Sequence, residues 1–205
     1  MSCYVQIDGP DGCGKSSQAT ALCEWLAANG RRALHVREPG STPVGEALRR
    51  LLLAPATGEL LPLTEALLFS AARAELVRQQ IAPALQRGEV VVAERGYLST
   101  LVYQALASTP GLPTAWVFEL SRAVHGPHLP DAVFVLDVPP AVSAARRADR
   151  ADDRIEARAA DYHERVRAGF LRACELEPRA QRVDGSRPFA VVQADLRERL
   201  GALGR

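Results

Sequence analysis

Lysine is almost absent from this chain of 205 residues. Lys15 is the only lysine, and all the other residues counted as lysine or arginine are arginines. Arginine serves well on a solvated surface, but its wide planar guanidinium does not replace a compact ammonium inside a tight anion-binding turn. A chain that avoids lysine elsewhere and keeps it at position 15 therefore indicates a site that requires an ammonium group there.

The sequence also lacks an excess of charge, a long apolar run and paired cysteines. The net charge is +1, so no overall field attracts nucleic acid or an anionic membrane, and we expect neither partner. No apolar run approaches the roughly 20 residues of a membrane span, and no charged-then-apolar leader precedes the first predicted strand. The cysteines show no C-x-x-C or Cys/His metal spacing, so we expect free thiols in a reducing cytoplasm.

A glycine-rich loop near the N-terminus carries the strongest motif. Residues 9–16, GPDGCGKS, fit the phosphate-binding P-loop pattern G-x-x-x-x-G-K-[ST], between a β-branched strand and a helical pattern. The alternative, a chance glycine turn before an ordinary helix, does not explain the single lysine. Lys15 is expected to reach the β- and γ-phosphates of a nucleotide, and the Ser16 hydroxyl to bind Mg²⁺. The predicted nucleotide-binding residues are Gly9, Pro10, Asp11, Gly12, Cys13, Gly14, Lys15, Ser16 and Ser17.

Strand and helix patterns alternate along the chain, which predicts an α/β fold with a five-stranded parallel sheet covered by helices on both faces. The predicted strands are residues 3–7, 33–36, 90–93, 132–138 and 182–184. Thr64 is expected to cap a long helix that ends near Gln86, with a kink or restart at Pro83. His125 and His128 are expected in a solvated turn rather than a metal site. One domain, residues 1–205, is the simplest prediction.

Ligands of parallel sheets bind at the carboxyl ends of the strands. The charged residues at the carboxyl ends of the predicted strands, or directly after them, are Asp8, Arg37, Glu38, Glu94, Arg95 and Asp137. We therefore expect a cluster of arginines and carboxylates beside the P-loop.

Four further segments resemble the thymidylate kinase family. They are residues 37–42 (REPGST), 65–73 (EALLFSAAR), 94–104 (ERGYLSTLVYQ) and 153–156 (DRIE). The resemblance runs in order over nearly the whole chain. It implies the P-loop nucleoside monophosphate kinase fold, with a lid at about residues 146–157 and a homodimer through the long helices. The implied reaction uses ATP and Mg²⁺ to convert thymidine monophosphate to the diphosphate, in the synthesis of thymidine triphosphate.

The resemblance also implies roles for single residues. Phe69 would stack on thymine, and Arg73 would hydrogen-bond a base carbonyl. Tyr103 would pack beneath the deoxyribose, where a 2′-hydroxyl would crowd it, and Arg95 would hold the acceptor phosphate. Asp8 would assist the sugar or the metal. The implied substrate-binding residues are Asp8, Glu38, Pro39, Phe69, Arg73, Arg95, Thr100, Tyr103 and Gln104. Taken singly, Phe69 and Tyr103 are equally well explained as core residues. Arg73 taken singly is equally well explained as one partner of a surface ion pair.

An arginine-rich run lies in the implied lid. Gly12 occupies a P-loop position where some family members have arginine, and the resemblance then implies the bacterial type, whose catalytic arginine comes from the lid. The candidates are Arg146, Arg150 and Arg154, the last with a structural alternative. The run is equally typical of a solvated helix face.

The chain departs from the family pattern at two neighbouring positions. Gly96 replaces the usual Tyr or His, so whatever that ring supports is missing, and Glu94 replaces Asp. Two other functions stay open at this point. One is another nucleoside or nucleotide kinase of the same fold, and the other is a non-catalytic ATP-binding sensor.

Overall fold

The computed structural model describes residues 2–146 and 153–203, and its centre is one sheet of five strands. The strands are β1 (Cys3–Asp8), β2 (Ala33–Arg37), β3 (Val90–Glu94), β4 (Ala132–Asp137) and β5 (Ala180–Asp184). They pair in parallel in the order β2-β3-β1-β4-β5. The predicted five-stranded parallel sheet is confirmed.

Helices connect successive strands. They are α1 (Lys15–Ala28), α2 (Pro43–Leu53), α3 (Pro62–Leu76), α4 (Ala82–Gln86), α5 (Tyr97–Thr100), α6 (Thr114–His125), α7 (Pro140–Ala145), α8 (Ala160–Leu176) and α9 (Phe189–Leu203). Two π-helical turns, Val77–Ile81 and Leu101–Leu106, link α3 to α4 and extend α5. In the described part of the chain, no helix combines the length and the apolar character needed to cross a membrane.

Both faces of the sheet are buried, because parallel strands are covered by their crossover helices. On one face, Leu22 of α1 and Leu196 of α9 pack against β1 and β4. On the other face, Phe170 of α8 packs with residues of α5, α6 and β4, and Leu76 of α3 packs against β3. Each such leucine or phenylalanine contributes about 1.5–3 kcal/mol when it is fully buried.

The long helix predicted from Thr64 to about Gln86 has a different start in the structure, and a π-helical turn interrupts it. It starts at Pro62, so the predicted cap at Thr64 is wrong. Proline suits the first turn, because its missing N–H has no partner there and its φ is already helical. Pro83 likewise cannot donate to the preceding turn, and the π-helical turn Val77–Ile81 precedes it.

His125 corrects a second prediction, because it is buried rather than solvated. It is the last residue of α6 and is 1% exposed. Its Nδ1 lies 2.8 Å from the carbonyl oxygen of Ser121, and its ring meets Tyr97 edge to face. Burial, with the positive charge of Arg73 nearby, lowers the pKa of His125 to about 4, so the ring is neutral in the folded chain at pH 7.

Candidate active site

A cleft of about 720 Å³ opens at the carboxyl end of the sheet. Its walls are the P-loop, the residues that follow β2 and β3, one face each of α2, α3 and α5, and residues 153–156. The strand ends therefore meet at one edge, as expected. Asp8 and Asp137 are the exceptions, because neither lines the cleft: Asp8 is fully buried, and the Asp137 carboxylate accepts from Arg167 and Arg182.

The P-loop wraps around the Lys15 ammonium. Lys15 Nζ donates to the carbonyl oxygens of Gly9 (3.0 Å) and Pro10 (2.8 Å), and the side chain is 8% exposed. A Cβ at Gly9 would lie 2.6 Å from the carbonyl oxygen of Leu136, and its φ of +137° strains any other residue. The loop thus holds one buried positive charge at the start of α1, where the helix dipole adds to it.

Glu94 lies beside the P-loop and was not predicted as a ligand. Its carboxylate accepts from Ser16 Oγ at 2.5 Å and from His35 Nε2 at 2.7 Å. Burial works against the charge, but these two hydrogen bonds outweigh it and keep the pKa of Glu94 below its usual value. A hydroxyl oxygen and an ionised carboxylate side by side are ligands of the kind that bind Mg²⁺ together with substrate phosphates. The sequence signal for Glu94 was its position directly after the predicted strand 90–93 and before Arg95.

Asp8, the other predicted metal ligand, is engaged elsewhere. It is fully buried, and its oxygens accept from Gly9 N (2.8 Å), Ser99 N (3.0 Å) and Ser99 Oγ (2.7 Å). Burial raises its pKa, and the nearby Arg95 partly offsets that effect. Asp8 therefore ties the end of β1 to α5, and this geometry does not support its direct contact with a metal.

Arg95 projects into the cleft from an unusual backbone conformation. Its φ is +66°, a region that costs a non-glycine residue about 1–3 kcal/mol. The guanidinium donates to Ser99 Oγ (3.0 Å), Gly9 O (3.3 Å) and the Asp11 carboxylate. Tyr103 lies under the guanidinium at 5.4 Å and donates its hydroxyl to Asp11 at 2.9 Å. Asp11, predicted on the P-loop side, thus also lies against the arginine and tyrosine predicted for the acceptor.

The opposite wall brings together the residues expected around a base. Phe69, Arg73, Thr100 and Gln104 all line the cleft. Arg73 is 2% exposed and donates to Glu38 Oε2 (2.5 Å) and Thr100 Oγ1 (3.3 Å), so it is not a surface ion pair. Its Nη1, together with Gln104 Oε1, is buried without a hydrogen-bond partner among the described residues. Glu38 Oε1, on another residue of the cleft, likewise has no hydrogen-bond partner among the described residues, so one donor and two acceptors are left for a ligand.

Two of the three candidate lid arginines, Arg146 and Arg154, lie among the described residues, and their surroundings differ. Arg146 donates to the carbonyl oxygens of Cys13 (3.3 Å) and Gly185 (3.2 Å), so it lies directly beside the P-loop. Arg154 instead donates to Leu52 O and to Glu65, both at 2.7 Å, which does not support a catalytic role for it. Arg150 lies outside the described residues.

Glu65 connects Arg154 of the implied lid, and Arg158 just after it, to Gln104. This carboxylate is 1% exposed and accepts from Arg154, from Arg158 at 3.0 Å and from Gln104 Nε2 at 2.9 Å. Arg158 also stacks on the Tyr162 ring at 4.6 Å. Loss of this carboxylate would leave Arg154, whose side chain is itself buried, without its ion-pair partner.

Arg49 is a further cleft residue that the sequence prediction missed. It donates to Pro39 O at 3.0 Å from α2, and Arg37 lies at the rim in an ion pair with Glu46. Burial, with the charge of Arg37, lowers the pKa of Arg49, which remains a cation at neutral pH. A helix that follows a strand-end loop turns one face toward the cleft. The sequence pattern of α2 did not indicate whether Arg49 or Arg50 lies on that face.

A P-loop at the carboxyl end of a five-stranded parallel sheet, with Arg73 and Arg95 in the same cleft, is the architecture of a P-loop nucleoside monophosphate kinase. The family model described as thymidylate kinase matches residues 7–196. The chain belongs to the thymidylate kinase family, and it is an ATP-dependent phosphotransferase that acts on thymidine monophosphate.

Relatives and a solved structure agree with this assignment. The chain is 42% identical over 198 residues to a thymidylate kinase of Symbiobacterium thermophilum, covering 96% of this chain and 92% of the relative. It is 43% identical over 196 residues to one of Thermomicrobium roseum, covering 94% and 91%. The crystal structure of thymidylate kinase from Ehrlichia chaffeensis superposes with a TM-score of 0.76 at 26% identity, covering 97% of this chain and 98% of that one.

Proposed function

We propose that thymidine monophosphate binds in the cleft between α3 and α5, with ATP at the P-loop, and that the γ-phosphoryl passes directly between them. The observation that carries this proposal is the pair of unpaired polar atoms, Arg73 Nη1 and Gln104 Oε1, on residues that line the cleft. Thymine offers a carbonyl acceptor and an N–H donor on one edge, which match that donor and acceptor. Phe69 supplies the apolar surface for the ring face.

The phosphate groups meet the positive side chains of the cleft. Lys15 is the contact for the ATP β- and γ-phosphates, and Arg95, with Arg49, is the contact for the acceptor phosphate. In this structure Arg95 is paired with Asp11, so it exchanges that carboxylate for phosphate when the acceptor binds. Phosphoryl transfer involves little covalent work by the protein, so positioning and charge stabilisation account for the rate.

Ser16 and Glu94 are the side chains that would hold Mg²⁺. The described residues contain no group of three or more His, Cys, Asp or Glu side chains arranged for a metal, which suits an ion bound chiefly by phosphates. The ion, when bound with ATP, neutralises charge on the phosphates. The His35 hydrogen bond keeps the Glu94 carboxylate ionised and oriented toward Ser16.

The lid contributes the remaining cation. Arg146, beside the P-loop, or Arg150 supplies positive charge over the transferred group, and Arg154 anchors the lid through Glu65. Residues 147–152 of the predicted lid (146–157) lie outside the described residues; in the family's mechanism, lid closure excludes water from the reaction.

The setting of the enzyme is also proposed. The chain works as a single domain in the cytoplasm, where its four cysteines, all among the described residues, remain free thiols as they are here. It forms a homodimer through α2 and α3. The proposed dimer is supported by exposed apolar side chains on α2, on α3 and directly before α3: Val44, Leu51, Leu61, Leu63 and Leu67.

Steady-state kinetics of Arg73→Ala tests the proposal. Arg73→Ala should raise KM for thymidine monophosphate by about tenfold or more, because a buried base contact is worth about 1.5–3 kcal/mol, and should leave KM for ATP within about twofold. Arg78→Ala is the matched control, since Arg78 is 77% exposed just beyond α3. Equal kinetics for Arg73→Ala and the wild type would contradict the base pocket.

A further inference from the structure

Gly96, directly after Arg95, has no room for a side chain. A Cβ built at this position would lie 2.1–2.3 Å from three atoms of the Gln6 side-chain amide. Its φ of 178° is extended backbone that any residue adopts, so the requirement for glycine is one of space and not of conformation. The volume beside Gly96 is already filled by Gln6.

Gln6 is an unusual residue for its place. It is 0% exposed, in the central strand β1, where neighbouring positions are apolar. Its Nε2 donates to the Tyr4 hydroxyl at 2.6 Å, while its Oε1 has no hydrogen-bond partner among the described residues. An amide that is only half satisfied in a core is unfavourable, so its presence calls for a specific reason.

The turn that carries Arg95 rests directly on β1. Arg95 N donates to Ile7 O at 2.9 Å, one residue after Gln6, and the Gln6 amide packs against Gly96. Between these two supports Arg95 adopts its φ of +66°, which directs the guanidinium to the P-loop and to Ser99. Contacts on both sides are what keeps a non-glycine residue in this conformation.

We propose that Gln6 is a positioning residue for Arg95. Its amide is the floor of the turn at residues 94–96 and replaces, from the neighbouring strand, the support that a side chain at position 96 would give. Gln6 and Gly96 are therefore one packing unit, and a change at either alone shifts Arg95. The inference rests on the proposed role of Arg95 as the acceptor-phosphate contact.

Four variants test the coupling: Gly96→Ala, Gln6→Ala, the double variant and Arg95→Ala. Gly96→Ala should raise KM for thymidine monophosphate by about tenfold or more, with KM for ATP within about twofold, because small displacements of a positioning group are costly. The double variant should recover most of that loss, since Gln6→Ala makes room for the new Cβ. Gly201→Ala, at a helical glycine with open space around it, is the control and should match the wild type.

The rescue pattern separates positioning from general destabilisation. If Gly96→Ala does not fold, a folded double variant by circular dichroism still supports the coupling, and an unfolded double variant overturns it. Wild-type kinetics for Gly96→Ala, or a double variant no better than Gly96→Ala, also overturns it. Arg95→Ala distinguishes the two proposals, because an unchanged KM for thymidine monophosphate in that variant contradicts the proposed function of Arg95 whatever the rescue shows.

Discussion

Single residues of the cleft do more than their motif suggests. Asp11 belongs to the P-loop pattern, yet in the structure it accepts from Arg95 and Tyr103, the two residues proposed for the phosphate acceptor. Glu94 stands where the family pattern has Asp, and the longer side chain reaches Ser16 at 2.5 Å. The sequence predicted Lys15, Ser16 and Arg95 in the cleft, because they follow predicted strands, whereas Arg73 was implied by the family resemblance alone. It did not predict which side-chain oxygen pairs with Ser16, because that depends on packing between strands.

Glu94→Gln tests the magnesium proposal at this scale. The amide keeps the shape of the side chain but removes the negative charge beside Ser16. The Mg²⁺ concentration for half-maximal rate should rise by about 10–100-fold, measured at saturating ATP and thymidine monophosphate. Glu24→Gln, at an exposed position on α1, should leave it unchanged. An unaltered Mg²⁺ requirement in Glu94→Gln would remove Glu94 from the site.

His125 predicts a pH dependence of stability. Its pKa is about 4 in the folded chain and 6.5 when unperturbed, so the unfolded chain binds the proton more tightly. The neutral ring makes its full contribution to the free energy of unfolding above pH 6.5. As the pH falls from 6.5 toward 4, the free energy of unfolding decreases by about 3 kcal/mol. Urea unfolding at a series of pH values measures it. His125→Gln should flatten this part of the profile, whereas His128→Gln should not, and identical profiles for all three proteins would contradict the assignment.

At the scale of elements, the strands were predictable and the helix details were not. Val90, Val91 and Val92 form an apolar β-branched run that suits only a buried strand, and β4 is buried along its whole length. The start of α3 was misplaced because Pro62 begins the helix without the side-chain cap expected from Thr64. The π-helical turns have no sequence pattern of their own, since they come from a local mismatch in hydrogen bonding.

Glu65→Gln tests the connection between α3 and the lid. The variant leaves Arg154 and Arg158 without their carboxylate, so stability should fall by on the order of 3–5 kcal/mol, as for a broken buried ion pair. Hydrogen exchange of residues 153–158 should accelerate more than that of the sheet, and kcat should fall with lid closure. Glu75→Gln, on the same helix with an exposed arginine partner, is the control. Unchanged exchange in residues 153–158 would show that Glu65 does not anchor the lid.

At the scale of the molecule, the apolar side chains of α2 and α3 predict the assembly. Leu63 and Leu67 are 46% and 48% exposed and lie one turn apart on α3. Leu67→Glu places a charge in that surface and should shift the protein from dimer to monomer in sedimentation velocity at micromolar concentration. Glu119→Gln, which removes a charge on α6 and leaves the exposed apolar side chains of α2 and α3 unchanged, is the control. A wild-type protein that is monomeric under the same conditions would contradict the proposed dimer.

The central claim is that the P-loop and the base pocket share one cleft, across which Lys15 and Arg95 face the same gap. The most direct measurement uses a single molecule in which adenosine and thymidine are joined by a chain of phosphates. This molecule should inhibit competitively against both ATP and thymidine monophosphate, and Lys15→Ala and Arg73→Ala should each weaken its binding in calorimetry. Competition with only one of the two substrates would show that the pockets do not meet, and would contradict the account.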